Sequence, residues 1–540
     1  MPEIYQELDA IRSKLDRHYR DMQDIEFTIE KNKLWMLQTR TGKRTGFASF
    51  KIAVDMVREG IISKEEALMR VDPDQLNQLL RPTFDAKAKS DALKDGALLT
   101  RGLNAGPGAG TGRVVFNAHD AEEWVKRGEI VILVRLETSP DDIRGMHASR
   151  GILTARGGMT SHAALVARQM GKVCVVGCGD LEIDYRNKRM TIGDRIIREG
   201  QYLSLDGTTG EVYAGQIPTR PSDILRVIID KSLAPQRSQI YQDYVALMGW
   251  ADEFRRLEIW TNADQPNQAE EAISFGAEGI GLTRTEHMFF EGNRIETVRE
   301  MILAEDLEGR QKALGKLLPM QKEDFKGLFR VMRDKRVTIR TLDPPLHEFL
   351  PNDEQSVQKL ATKMNIPFER LQAKVTSLHE ANPMLGHRGC RLGLVYPEIT
   401  AMQVRAIMEA ACEIAAEGLG VFPEIMVPLV GDVAELRNQR EIVDAVAQEV
   451  MDQFGIIVEY NVGTMIEVPR GALTADEIAE VAEFFSFGTN DLTQTVFGIS
   501  RDDAGKFLPA YLANKIWEHD PFSRLDQKGV GSLMEIAVKK

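Results

Sequence analysis

The sequence predicts a multidomain α/β protein, and three observations carry that expectation. From residue 255 onward, apolar strand-like runs alternate with helix-period segments, the pattern of a parallel sheet closing as a barrel. Between residues 101 and 215, short apolar strands follow a glycine-rich opening. The chain of 540 residues also exceeds what one core organises, at about 150 residues per domain.

Composition narrows the class. The chain is 43% hydrophobic and 28% charged, enough apolar surface to offset chain entropy, so disorder as the main state is excluded. Lys+Arg 68 against Asp+Glu 81 leaves −13. That argues against a general nucleic-acid binder while leaving room for local basic pockets that hold phosphate. No run of about 18 apolar residues occurs, so no membrane span is expected. The opening MPEIYQELDAIRSKLDRHYRD reads as a charged amphipathic helix, without the apolar stretch of a signal peptide and too acidic for a typical transit peptide. Cys174, Cys178, Cys390 and Cys412 are too few for a disulfide framework. The close pair has no second pair to complete a zinc site, so buried reduced thiols in a cytosolic chain are expected.

Taken in order, residues 1–40 read as a helix and a hairpin. DIEFTIE and KLWMLQTR alternate apolar and polar, with the turn at Lys31-Asn32-Lys33. A hairpin buries no core alone, so this segment reads as the tail of a domain. Residues 41–100 read as a helical segment and linker: AVDMVREG ends on Gly60, and Ser63 opens KEEALMRV with Glu66 placed for a capping box. Residues 101–215 open with GLNAGPGAGTGRVVF, followed by EIVILVR, GILTA, VCVVG and YLSLDG. The glycines at 106, 108, 110 and 112 miss the dinucleotide spacing G-x-G-x-x-G, and TRTGKRTG near residue 42 lacks the first glycine of a P-loop. A tight turn into a strand is the reading there. Residues 216–254 are linker helices. The last unit, 255–540, offers candidate strands RLEIWTNA, GIGLTRTE, VTIRTLDPP, a short one near MLGHRGCR, PEIMVPLV, VGTMIEVPR and FFSFGTND. Seven units of a (β/α)8-type barrel would leave an open parallel seam, so an incomplete barrel is expected.

One motif stands out for chemistry. In RGGMTSHAALVARQMG, the strand GILTA leads into a glycine loop and a helix begins near Ser161, which puts His162 in its first turn. Free N–H groups and the positive end of the helix favour an anion there. The same field disfavours imidazolium and keeps the ring neutral and nucleophilic. A phosphoryl group on His162 would meet those donors, with Arg156 close in sequence. A histidine that only closes a helix start is the competing reading.

The stretch TARGGMTSHAALVARQMGKVCVVGC resembles the phosphohistidine swivelling domain of the pyruvate phosphate dikinase family, whose wider superfamily includes phosphoenolpyruvate synthase and enzyme I of the sugar phosphotransferase system. LTRTEHMFF, IRTLDPPLHEFLP, NPMLGHRGCRLG, TMIEVPR, FFSFGTNDLTQ and SRDDAGKFLPAYL extend the resemblance from about residue 20 to the end. It implies a β/β/α swivelling domain at 101–215 and a phosphoenolpyruvate- and pyruvate-binding barrel at 255–540. It implies that His162 is phosphorylated in catalysis and that Thr160 matches a threonine reversibly phosphorylated in plant members. Arg284 and Arg340 resemble the clamps for the phosphate and carboxylate of phosphoenolpyruvate. Glu467 and Asp491 resemble the magnesium ligands, with Gly488, Thr489 and Asn490 as the substrate loop between them. Glu26, Gln38 and Arg40 resemble polar residues of the family's nucleotide site.

Elementary chemistry agrees. The barrel residues fall at or just after the C-terminal ends of predicted strands, where barrel active sites are built. Guanidinium forks match phosphate and carboxylate, and two carboxylates suit Mg²⁺, which would stabilise the enolate of pyruvate. Unrelated surface ion pairs are the competing reading. Arg388 and Arg391 are candidates to join the pocket, and His347 and His387 read as structural.

The implied activity is reversible phosphoryl transfer, ATP + phosphate + pyruvate to AMP + diphosphate + phosphoenolpyruvate, in the cytoplasm, with a plastid as the alternative and a homodimer through the barrel as the assembly. The sequence departs from the family in two places. Only the final stretch of the ATP-grasp nucleotide domain is expected in residues 1–40. The family's last-strand motif Gly-x-Cys-Gly-Glu-His-Gly-Gly does not occur, and none of the four cysteines replaces it. A partial chain is therefore expected, using ATP, AMP and phosphate only if a nucleotide domain is supplied. Proton transfer to the enolate would be slowed by about 10²–10⁴-fold. Alternatives are phosphoenolpyruvate synthase chemistry and a non-catalytic phosphoenolpyruvate-binding fragment. Enzyme I is disfavoured, because residues 20–40 resemble an ATP-grasp end, which that enzyme lacks.

Overall fold

Alternation in the first forty residues becomes a helix, Pro2–Tyr19, and an antiparallel hairpin of β1 (Gln23–Glu30) and β2 (Lys33–Thr41) in the computed structural model. Lys31 and Asn32 both take positive φ, 49° and 59°, the geometry of a two-residue turn whose twist matches the strands it joins. The structure describes residues 2–540 apart from 43, 45, 140–141, 159–160, 291–293, 352–353, 365, 381 and 502, and at 74, 77, 78, 162, 165, 168 and 169 it describes the backbone. Two units divide the chain, Met1–Arg256 and Leu257–Lys540.

In the first unit, helices Gly46–Arg58 and Lys64–Arg70 follow the hairpin. Ser63 accepts from the Glu66 N–H while the Glu66 carboxylate accepts from the Ser63 N–H, the reciprocal box expected from S-x-x-E. Residues 86–94 form a helix rather than open chain, because Asp85 caps the N–H groups of Lys87 and Ala88. A two-residue pairing joins β3 (Thr83–Phe84) to β15 (Thr219–Arg220).

The centre of this unit is a mixed eight-stranded sheet. Its strands are β4 (Leu98–Arg101), β5 (Leu103–Gly106), β6 (Ala109–Val115), β7 (Val131–Arg135), β8 (Gly151–Thr154), β9 (Val173–Val176), β13 (Tyr202–Asp206) and β14 (Glu211–Ala214), in the order β4-β14-β13-β6-β7-β8-β9-β5. β6 to β9 are parallel. One face packs on helices through Ala121, Met146, Ala163, Ala164 and Ala167. The other packs on the three-stranded sheet β10 (Leu181–Asp184), β11 (Arg189–Ile192) and β12 (Arg195–Arg198) through Leu181, Met190 and Ile192. The layers are therefore β/β/α, as the family resemblance implies.

The second unit holds six parallel strands in sequence order: β16 (Trp260–Asn262), β17 (Gly279–Arg284), β18 (Arg336–Arg340), β19 (Phe422–Val427), β20 (Asn461–Ile466) and β21 (Phe485–Phe487). Helices Leu307–Met332, Pro397–Ala416 and Val433–Phe454 bury its core around Phe325, Phe329, Ile407, Ile425 and Val443. The short strand expected near residues 384–391, the fourth of the seven, is corrected by the structure. Pro383–Leu385 is a 3-10 turn and Cys390–Val395 a helix. Gly389 between them has φ 58°, a left-handed conformation that ends any extended run. The sheet is thus a curled parallel half-barrel of six strands among the described residues, rather than seven units.

No helix among the described residues is long and apolar enough to cross a membrane. Cys174, Cys178, Cys390 and Cys412 are buried free thiols, and burial pushes Cys178 and Cys390 up to about 12.

Candidate active site

Parallel strands bring their C-terminal ends to one rim, and in the second unit that rim is charged. Arg284 ends β17 and Arg340 ends β18, side by side in register. Glu467 follows β20, and Gly488 follows β21 and opens helix Thr489–Phe497. The sequence-predicted residues therefore come together, and the network between them is specific. Buried Arg340 donates to Glu286 at 2.5 Å and pairs with Asp343 at 2.8 Å. Arg388 grips the same Asp343 with two bonds, 3.1 and 2.6 Å, and reaches Asp491 at 3.0 Å. Arg391 does otherwise: it donates to the Leu385 and Gly386 carbonyls and ties down its own loop.

Glu467 is buried and accepts the Leu429 N–H at 2.7 Å. Burial first, and then the charges of Asp343 and Asp491, push its carboxyl well above the usual range, against the pull of Arg340 and Arg388. Gly488 is required beside it, because a Cβ there would lie 2.5 Å from Glu467 Oε2. Thr489 and Asn490 are exposed on the first helical turn, where backbone N–H groups have no intrahelical partner. Asp491, in the same turn, also accepts from Gln494 at 3.3 Å.

Several polar groups on this rim remain unpaired. Buried Glu286 Oε2 and Arg340 Nε have no partner. Among the described residues the Arg284 guanidinium has no hydrogen-bond or ion-pair partner, although its backbone N–H donates to Asp264 at 2.7 Å. Asp264 also meets His287 Nδ1 at 2.6 Å. Sequence reasoning missed Glu286, Asp343 and Asp264. Their signal is position: each acid lies within three residues of a strand end, two of them just beyond the predicted clamp arginines.

The metal test can be made on the donor set. Among the described residues no three His, Cys, Asp or Glu side chains gather at metal-holding spacing. Glu467 and Asp491 remain as a two-carboxylate set, which fits Mg²⁺, an ion that keeps most of its waters. Five carboxylates, those of Asp264, Glu286, Asp343, Glu467 and Asp491, face three guanidiniums here, so an anionic ligand gains from a divalent cation beside it.

In the first unit, helix His162–Gln169 begins where the motif predicts. Ser161 Oγ accepts from the Ala164 N–H at 3.4 Å, and the Ser161 N–H donates to the Gly158 carbonyl at 3.0 Å. His162 is thus the first helical residue, at the N-terminal end of the helix. Arg156 is exposed in the loop before it, and Thr160 lies outside the described residues. Glu26 and Gln38 are register partners across the hairpin, and Arg40 pairs with Asp24 at 2.8 Å and Glu26 at 3.2 Å, all exposed.

A half-barrel with an arginine- and carboxylate-lined rim, in one chain with a β/β/α unit that opens a helix on histidine, defines a multidomain α/β protein. The family model for PEP-utilising enzyme, PEP-binding domain, matches residues 238–540, more than half of the sequence, and the chain belongs to the PEP-utilising enzyme family. The PEP-utilising enzyme mobile domain matches residues 128–210, and the pyruvate phosphate dikinase AMP/ATP-binding domain matches residues 2–60. The family expected from the motifs is the one found.

Similar curated proteins are named pyruvate, phosphate dikinase. The one from Clostridium symbiosum is 52% identical over all of this chain and 60% of its own length. That from Rhizobium meliloti is 55% identical, over 58% of its length, and the chloroplastic one from Flaveria pringlei is 54% identical, over 55%. The chain spans 55–60% of the length of these relatives.

Proposed function

We propose that the chain works as a pyruvate, phosphate dikinase: reversible phosphoryl transfer among ATP, phosphate and pyruvate through a phosphohistidine at residue 162. The observation that carries this reading is identity of 52–55% over the whole chain to relatives of that name. The charged rim supports it. In the phosphoenolpyruvate half-reaction, the free guanidinium of Arg284 takes the phosphate and Arg340 orients the substrate beside it. As the ester P–O bond breaks, a P–N bond forms to the His162 ring. The enolate left behind takes up a proton to give pyruvate. Glu467 and Asp491 would hold Mg²⁺, which when bound supplies charge stabilisation at the enolate oxygen. Arg388 and Asp343 keep Asp491 and Arg340 in place, so the donors are oriented before charge develops. The reading includes a cytoplasmic enzyme, with a plastid as the alternative raised by the chloroplastic relatives, and a homodimer through the second unit.

The test is incubation with ³²P-phosphoenolpyruvate and Mg²⁺. Acid-labile, base-stable label is expected on residue 162, chased off by pyruvate, absent from His162→Asn and reduced at least tenfold in Arg284→Met. Label that persists in His162→Asn, or no label in the unsubstituted chain, overturns the reading.

A further inference from the structure

A second concentration of charge lies in the first unit, away from any residue used above. At the N-terminal ends of β6 to β9 is a cavity of about 490 Å³. Ala109, Val131 and Val173, the first residues of three strands, form its floor. Arg81, Arg150 and Lys172 stand around it.

Arg81 donates to the Gly171 carbonyl just past helix His162–Gln169, which fixes its guanidinium at the rim. Arg150 and Lys172 differ: among the described residues neither side chain has a hydrogen-bond or ion-pair partner. The one acid in the lining, Glu129, is taken up by Arg113, Nε to Oε2 at 2.8 Å. Lys172 is half-buried, and burial followed by repulsion from Arg150 pushes its ammonium below the usual range. Three cations therefore face one cavity, and among the described lining residues no unpaired acid offsets them. Elsewhere in this unit a half-buried lysine is matched, as Lys89 is by Asp206 and Glu211 at 2.5 and 2.8 Å.

Apolar Pro82, Ile130 and Met170 lie beside the cations, and Ser149 adds a hydroxyl to the lining. Two guanidiniums and an ammonium suit the several acceptor oxygens of a phosphate dianion. The apolar wall and the volume, within the about 300–1,000 Å³ of small-molecule sites, leave room for an organic remainder. We propose that this cavity binds a small organic phosphate, its head held by Arg81, Arg150 and Lys172 and its body against Ile130 and Met170. The loop to His162 leaves the C-terminal end of β8, whereas Arg150 precedes its N-terminal end. The two positions lie at opposite edges of one sheet, so this site stands or falls separately from the dikinase reading.

Phenyl phosphate is the probe, titrated calorimetrically into the full chain, with inorganic phosphate and phenol as controls. Binding is expected for phenyl phosphate, more weakly for inorganic phosphate and not for phenol. Arg150→Ala/Lys172→Ala should lose at least about tenfold in affinity, the scale of one charge-assisted contact. Arg150→Lys should retain most of it, and every titration is run in the Arg284→Met background, which removes the phosphate clamp proposed for the second unit. Thermal melts confirm folding, and Lys172→Met, which keeps the apolar stem, carries the test if the double variant does not fold. Equal isotherms for the double variant and the parent, or equal binding of phenol, each overturn the proposal.

Discussion

The two units use charge in opposite ways. On the rim of the second, arginine and carboxylate alternate in one connected chain: Glu286 to Arg340, Arg340 to Asp343, Asp343 to Arg388, Arg388 to Asp491. In the first, residue 162 stands at the start of a short helix, and among the described residues the three cations at the far edge of the sheet have no unpaired carboxylate in their cavity's lining. On the proposed function, the contrast means that orienting a substrate and carrying a group call for different construction. A charge network of fixed geometry reads shape, because removing one member leaves its neighbours buried and unpaired. A helix start offers partial charge without a side-chain partner that must be given up when a group moves on.

The comparison can be broken most sharply at Arg340. Arg340→Met leaves Glu286 and Asp343 buried without their cation and should cost about 3–5 kcal/mol, measured as urea unfolding of the second unit. A loss under about 1 kcal/mol would mean that the network is not a structural unit. Next comes Gly488→Ala, whose Cβ must displace Glu467. A loss of about 10²-fold in phosphoryl transfer to His162 is expected from misplacement of that scale, with folding retained in a melt.

The first unit has its own charge test. Burial raises the Glu211 carboxyl, but bonds from Lys89, Thr209, Tyr213 and Arg101 more than offset this and hold it down at about 2. A folded value below the unfolded one stabilises the protein above the unfolded value, near 4.5. That stability is lost as pH falls through the folded value. Melting temperature should therefore drop between pH 5 and pH 2, and Lys89→Met should flatten that drop. The smallest effect is expected at Ser63→Ala, which removes one side of the capping box for about 1 kcal/mol, read as hydrogen exchange in helix Lys64–Arg70.

Much of this architecture was legible in local pattern. The hairpin turn, the capping box and the start of the 162 helix are each decided by a few adjacent residues, and the structure has them where the pattern puts them. Arg340, Glu467 and Gly488 were legible as strand-end positions, since a parallel sheet fixes that rim. The strand expected near residues 384–391 failed for the converse reason. Apolar residues near 384–391 look strand-like in one dimension, but Pro383 and a left-handed Gly389 make that segment a loop, whose role is to deliver Arg388 to Asp343 and Asp491. Glu286 was missed because its pairing with Arg340 crosses strands, and Asp343 because its tie to Arg388 spans a distant loop, so only their nearness to strand ends marks them in the sequence. The cavity cations were missed likewise: Arg81, Arg150 and Lys172 are brought to one place only by the sheet.

Leu429 holds φ at 63°, a left-handed conformation that costs a branched residue on the order of 1–2 kcal/mol, while its N–H binds the Glu467 carboxylate. The backbone there works as a latch kept shut by a side chain. Any event that withdraws that carboxylate, whether Glu467→Ala or a cation competing for its oxygens, loosens the peptide at 429, and exchange of that single amide with deuterium would report it.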